Sequence, residues 1–233
     1  MISEAIILAG GKGTRLQGIV SDVPKPMATV SGKPFLEHLI GFLAKQGVEK
    51  IIFSVGYKAE VIKEYFKEEY FGLKLEYVFE KEPLGTGGGL ALAMEKVNGE
   101  STFVLNGDTL SMVSLESLSR FHSSVSADVT MVTKYMEDAS RYGTIQVNSE
   151  GIIEDFQEKK KKEGFINTGV YSITKRWFSE TKPSAQKFSF EKDMMEVSLR
   201  KGAIYGFPFE GYFIDIGIPE DYDKAKKEIS LLK

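Results

Sequence analysis

Three short, largely apolar runs and one alternating segment, separated by helical patterns, constrain the first half of this chain more than any other feature. Residues 5–9, 50–55, 73–79 and 102–105 read as strands. After the first, Pro34 opens a helical pattern with Phe35, Leu36, Leu39, Ile40 and Leu43 on one face, and Gly47 stands where such a helix would end. A second helical pattern carries Val61, Ile62, Tyr65 and Phe66, and a third Leu90, Met94 and Val97. Strands joined through helices align in parallel, with helices on both faces and ligands gathering at the carboxyl ends. The expected fold class is α/β, with a mostly parallel central sheet flanked by helices.

The second half reads differently. Strand-like segments at 127–134, 143–148, 152–157 and 165–173 have only short helical patterns between them, and Ser149-Glu150-Gly151 suits a hairpin turn. Antiparallel additions to the sheet are expected here. A helix over 190–200, a strand over 203–207 and a strand over 212–216 follow. A last helix starts at Pro219, with Glu220 and Asp221 in its first turn and Tyr222, Ala225 and Ile229 on its apolar face. With 233 residues, 42% of them hydrophobic, and no repeat or long linker, 1–233 is expected to be one domain.

Charge and cysteine content exclude several functions. A net charge of −3 gives no global field for nucleic acid or an anionic membrane, and the one dense basic run is 159–162. Zero cysteines exclude disulfides and thiolate metal sites. The first apolar run is too short for a signal peptide or a membrane span, so a soluble cytoplasmic protein is expected.

The chemistry concentrates where strands end. Leu8 and Ala9 lead into Gly10-Gly11-Lys12-Gly13-Thr14-Arg15, where glycine lets backbone N–H groups approach an anion and Lys12 and Arg15 add charge. No register supplies the Lys-Ser/Thr of a Walker loop, and Leu16 stands where a dinucleotide fingerprint needs glycine. A triphosphate cradle and a plain glycine turn remain. Pro24 and Pro26 hold Lys25 in a stiff, extended loop, and residues 84–90 read as a second glycine-rich turn. Asp108 and Asp215 each stand at a strand end; converging, they would bind Mg2+, and apart they are a turn residue and a helix-capping neighbour. His38 and His122 are expected to be ordinary surface or packing residues.

Seven blocks in order resemble the sugar-1-phosphate nucleotidylyltransferases: residues 8–16, Pro24-Lys25-Pro26-Met27, Leu84-Gly85-Thr86-Gly87, Asn106-Gly107-Asp108, Glu158-Lys159, Asn167-Thr168-Gly169-Val170-Tyr171 and Asp215-Ile216-Gly217. The resemblance implies a Rossmann-like nucleotide-diphospho-sugar transferase fold without a C-terminal β-helix, residues 1–110 serving the nucleotide and 111–233 the sugar phosphate. It implies that Lys25 contacts the nucleotide phosphates, that Arg15 holds the departing pyrophosphate and that Asp108 and Asp215 share Mg2+. Lys159 would grip the sugar phosphate, and Gly143, Glu158, Asn167 and Thr168 would line the sugar pocket. The reaction implied is attack of a sugar-1-phosphate oxygen on the α-phosphorus of a nucleoside triphosphate. Two positions depart from the family's habit. Lys160 follows Glu158-Lys159 where a proline is common, and Ile218 replaces a threonine that would cap the last helix, a loss of roughly 1 kcal/mol.

Glu80 and the turn at Gly85 and Thr86 match the segment that faces the base. Guanine offers two adjacent donors to a carboxylate, so Glu80 favours GTP, unless it is a solvated strand-end residue. Within the family the pattern most resembles the branch that guanylylates D-glycero-α-D-manno-heptose 1-phosphate, making GDP-heptose for bacterial surface glycans. Mannose 1-phosphate guanylylation stands behind it, then uridylyl or thymidylyl transfer. Relatives of this kind are often homodimers. A non-catalytic sugar-nucleotide-binding regulator is the alternative of a different class, and it predicts eroded phosphate and metal ligands.

Overall fold

The structure, a computed structural model, describes residues 1–11, 13, 16, 20, 22–157, 163–199 and 204–231. Its first half contains β1 (Glu4–Ala9), β2 (Thr29–Val30), β3 (Lys33–Pro34), α1 (Phe35–Lys45), β4 (Lys50–Val55), α2 (Ala59–Phe66), β5 (Glu69–Tyr70), β6 (Leu73–Phe79), α3 (Gly85–Met94) and β7 (Ser101–Asn106). The second half contains β8 (Thr109–Ser111), α4 (Leu115–Ser124), β9 (Val129–Met136), β10 (Thr144–Val147), β11 (Ile153–Gln157), β12 (Gly164–Thr174) and α5 (Lys175–Thr181). A π-helical turn, Phe190–Met195, then runs into α6 (Glu196–Ser198), followed by β13 (Ile204–Pro208), β14 (Phe213–Asp215) and α7 (Pro219–Glu228).

Strands β6, β4, β1 and β7 lie side by side in parallel. The chain winds outward from β1 through β4 to β6, then returns to the far side of β1 as β7. Right-handed crossovers put outward and return helices on opposite faces. Accordingly α1 and α2 pack into one core cluster and α3 into the other. The two-residue period of each strand divides its side chains between them: Ile7, Phe53 and Leu105 face the first cluster, and Ile6, Ile52 and Val104 the second. Reversal of winding beside β1 opens a crevice at the carboxyl ends of β1 and β7.

The antiparallel additions extend this sheet. β12 pairs antiparallel with β7, β9 and β10 pair antiparallel with β12, and β10 and β11 form the hairpin through Gly151, whose φ is +83°. β13 departs from the expected pattern by running parallel to β9. No helix among the described residues is long and apolar enough to cross a membrane.

Four local expectations change. The glycine-rich stretch after Leu84 is the first half of α3, not a turn before it. Its glycines allow contact: a Cβ on Gly87 would enter the Phe188 ring, and one on Gly89 would lie 2.6 Å from the Ser54 hydroxyl. Pro24 is extended as expected, but Lys25–Met27 closes a 3-10 turn, with Met27 N–H donating to Pro24 O at 2.8 Å. Tyr65 lies outside the core, its hydroxyl donating to Glu37 Oε2. The helix expected over 190–200 opens with the π-helical turn, where Phe190 and Met195 are fully buried.

Of the two histidines, His122 is a packing residue, 4% exposed, with Nδ1 2.8 Å from Thr130 Oγ1. Burial pushes its pKa down to about 4. An unfolded imidazole titrates near 6.5, so between these values the unfolded chain binds more protons. The stability this group contributes is therefore present above about pH 6.5 and lost as pH falls towards 4. His122→Phe is expected to reduce the acid-side loss by up to about 3 kcal/mol. Urea midpoints at pH 7 and 4.5 measure it, and an equal pH difference in variant and wild type would refute it.

Candidate active site

Glycines bring the carboxyl ends of β1 and β7 close enough to share a site. Gly107 N–H donates to Leu8 O at 2.9 Å, and a Cβ there would lie 2.9 Å from that same oxygen. Gly13, at φ +58°, crosses Lys25 so closely that a Cβ would lie 2.7 Å from the Lys25 Cβ. Asp108 follows Gly107, and the β8–β14 ribbon brings Asp215 to it. Asp215 stands opposite Thr109 in that pairing, and Ile216 N–H donates to Asp108 O at 3.0 Å.

The two aspartates meet around one cation. Lys25 Nζ is 2.6 Å from Asp108 Oδ2 and 3.9 Å from Asp215 Oδ1. Burial, then the charge of Asp108, pushes the Asp215 carboxyl above the usual carboxylate range, while Lys25 opposes the shift. Gly217 N–H also donates to Asp215 Oδ1, at 2.6 Å. Among the described residues no group of three or more acidic or histidine side chains could hold a metal ion. Two carboxylates on one cation nevertheless fit a hard divalent ion that takes its remaining oxygens from water and phosphate.

These residues belong to a cleft of about 840 Å3. Leu8, Ala9, Gly10, Gly11, Gly13, Lys25, Glu80, Gly85, Thr86 and Asp108 line it, as do Asn167, Thr168 and Asp215. Lys12, Thr14, Arg15, Glu158 and Lys159 lie outside the described residues. Gly143 is not in the lining; its neighbour Tyr142 is, and the Tyr142 hydroxyl is pushed up to about 12 by burial and then by Asp215. Arg141 holds this segment against α7 through paired contacts to Asp221 of 2.7 and 3.1 Å.

Side-chain engagement separates the expected residues by what they offer a ligand. Glu80 Oε1 accepts from Ser54 Oγ and Oε2 from Leu84 N–H, both at 3.1 Å, which fixes the carboxylate while leaving lone pairs free. Thr86 spends its one hydroxyl proton on Glu191 Oε2 and accepts from Phe190 N–H. Thr168 donates to Val132 O from a fully buried position, so it meets the cleft through its backbone. Asn167 is held by Gly169 N–H and by the Tyr171 hydroxyl at 2.6 Å.

Sequence reasoning missed Ser54, Thr109 and Tyr142 and gave Asn106, quoted within a motif, no role, though all four line the cleft. Ser54 and Asn106 lie at or near the carboxyl ends of β4 and β7, where ligands gather in such sheets, so the strand pattern itself carried that signal.

Comparison with known proteins agrees with this architecture. The chain is 45% identical over 226 residues to the D-glycero-α-D-manno-heptose 1-phosphate guanylyltransferase of Aneurinibacillus thermoaerophilus, covering 97% of this chain and 98% of that protein. It is 46% identical over 220 residues to the enzyme of the same name from Campylobacter jejuni, covering 94% and 96%. The crystal structure of HddC from Yersinia pseudotuberculosis complexed with GMP-PN superposes with a TM-score of 0.85 at 37% identity, covering 97% of this chain and 99% of that one. The nucleotidyl transferase family model matches residues 4–230, and the chain belongs to that family.

Proposed function

We propose that this protein transfers a guanylyl group from GTP to D-glycero-α-D-manno-heptose 1-phosphate, releasing pyrophosphate. The observation that carries the reading is the cluster of Lys25, Asp108 and Asp215 within one cleft. Nearly full-length likeness to two heptose 1-phosphate guanylyltransferases supports the choice of sugar. Glu80 supports the choice of base, because its fixed carboxylate can accept from guanine N1–H and the 2-amino group together.

In this reaction an oxygen of the sugar 1-phosphate forms a bond to the α-phosphorus of GTP, and the bond from that phosphorus to the β-phosphate bridging oxygen breaks. The attacking phosphate monoester is already ionised near pH 7, so the protein supplies position and charge, not a general base. Residues 1–110 hold the nucleotide and 111–233 the sugar phosphate within one domain. The glycine segment after β1 carries the triphosphate, with Lys12 and Arg15 as its cations, Arg15 on the departing pyrophosphate, and Lys25 contacts the nucleotide phosphates. Asn167 and the backbone of Thr168 meet the sugar, with Glu158, Lys159 and Gly143 completing that side. Asp108 and Asp215 hold a divalent ion, Mg2+, whose charge offsets that of the reacting phosphates when it is bound.

Pyrophosphate release with Mg2+ over a grid of nucleoside triphosphates and sugar 1-phosphates tests the proposal. GTP with the heptose phosphate is the expected productive pair. Turnover with mannose 1-phosphate alone would replace the sugar, and silence with tight sugar-nucleotide binding would establish the regulatory alternative. Glu80→Gln is expected to lower kcat/KM for GTP by about 10- to 100-fold relative to UTP, the range for a hydrogen bond to a charged group. Unchanged base preference would remove Glu80 from the guanine site.

A further inference from the structure

Seven buried side-chain polar atoms among the described residues have no hydrogen-bond partner, on Thr109, Ser111, His122, Thr144, Ser172, Trp177 and Tyr212. Only Thr109 among them lines the cleft. The residue is 7% exposed, so bulk water does little to satisfy its hydroxyl. A buried hydroxyl without a partner destabilises the folded protein, whereas an apolar group of the same shape does not. The hydroxyl oxygen is itself sealed from bulk water in a residue that lines the cleft, so a ligand seated there is what would supply its partner.

Position decides which ligand. Thr109 follows Asp108 in the chain and pairs directly with Asp215 across the β8–β14 ribbon, which puts both side chains on the same face. On its other side Thr109 Oγ1 lies 3.1 Å from where a Cβ on Gly169 would be. Gly169, at φ +77°, is where β12 bends just after Asn167 and Thr168. The hydroxyl thus stands between the carboxylate pair and the Asn167–Thr168 wall. Glu80, the base reader, belongs instead to the Gly10 and Gly89 region of the cleft.

We propose that the Thr109 hydroxyl binds an oxygen of the sugar 1-phosphate, a contact made only when that substrate is present. This rests on the guanylyltransferase reading above. The hydroxyl donates to a phosphate or sugar oxygen and has lone pairs left to accept a sugar hydroxyl proton.

Thr109→Val keeps the side-chain shape and removes the hydroxyl, and Thr109→Ser keeps the hydroxyl. The valine variant is expected to melt at or above the wild-type temperature. Its KM for the sugar 1-phosphate should rise about tenfold, the size of one hydrogen bond, with KM for GTP unchanged. Serine should restore most of the lost affinity. Calorimetry with GDP-heptose, GDP and GMP resolves the contact, because the β-phosphate of GDP occupies the place of the sugar phosphate. Loss for GDP-heptose alone puts the contact on the sugar, and loss for GDP-heptose and GDP together puts it on the phosphate; either supports the proposal. Equal loss for all three, no loss for any, or a lowered melting temperature with uniformly poor kinetics would overturn it. If wild-type protein binds GDP-heptose no better than GMP and turns nothing over, the guanylyltransferase reading itself has failed, whatever Thr109 does.

Discussion

Asp215→Asn is expected to fold normally and to release pyrophosphate on the order of a thousandfold more slowly, however much Mg2+ is supplied. The size follows from losing one of the two carboxylates proposed to hold a divalent ion, whose charge stabilisation would be worth several kcal/mol. Asp108→Asn should fall by a similar factor, and the double variant little further, if the two carboxylates hold one ion as proposed. Stability should move the other way. Burial and the nearby Asp108 raise the Asp215 carboxyl above its unfolded value, so the folded state holds its proton to higher pH. Stability from this group is lost as pH rises through the raised value, and the asparagine variant escapes that loss. The Gly217 N–H keeps an acceptor in the asparagine carbonyl. A melting temperature equal to or above wild type at pH 7, together with lost turnover, is the expected pair of results. A variant that melts well below wild type would mean that Asp215 serves the fold.

Lys25→Met is expected to slow turnover comparably while tightening divalent-ion binding to the nucleotide-free protein. The lysine ammonium lies 2.6 Å from Asp108 and 3.9 Å from Asp215. It therefore competes with any metal for the same two carboxylates. Removing it leaves two like charges close together without a counterion, which favours a divalent ion more strongly. Mn2+ binding followed by electron paramagnetic resonance measures the affinity without substrate, and pyrophosphate release measures turnover. Weaker or unchanged Mn2+ binding in the methionine variant would show that Lys25 does not compete for the metal position.

The parallel half of the sheet was legible because burial on both faces leaves β4 largely apolar, while β6 shows the alternation of a strand covered on one face. The spans expected at 50–55 and 73–79 are those of β4 and β6. Gly47, at φ +78°, ends the α1 region as its position implies. Other parts were hidden for physical reasons. Four glycines in α3 read as a turn because intrinsic propensity argues against helix, and only contact with the 186–190 segment overrides it. The parallel pairing of β13 with β9 depends on tertiary placement that no local pattern records. At the site, strand ends singled out the two aspartates and flanking prolines the lysine, but whether the three meet was open until the fold brought them together. The orphaned Thr109 hydroxyl was invisible, since a threonine at a strand end looks the same whether its oxygen is satisfied or not.

The dependence of α3 on distant residues bears on how the protein is made. Gly87, Gly88 and Gly89 weaken that helix by roughly 3 kcal/mol relative to alanine, and its first turn is tied down by Phe188 and Phe190, about a hundred residues further along. β7 likewise lacks its outer neighbour until β12 exists. A nascent chain that has left the ribosome only as far as residue 110 therefore carries β7 and α3 without the contacts that complete them. The first turn of α3 and the outer edge of β7 take their final shape only when the second half of the chain is present.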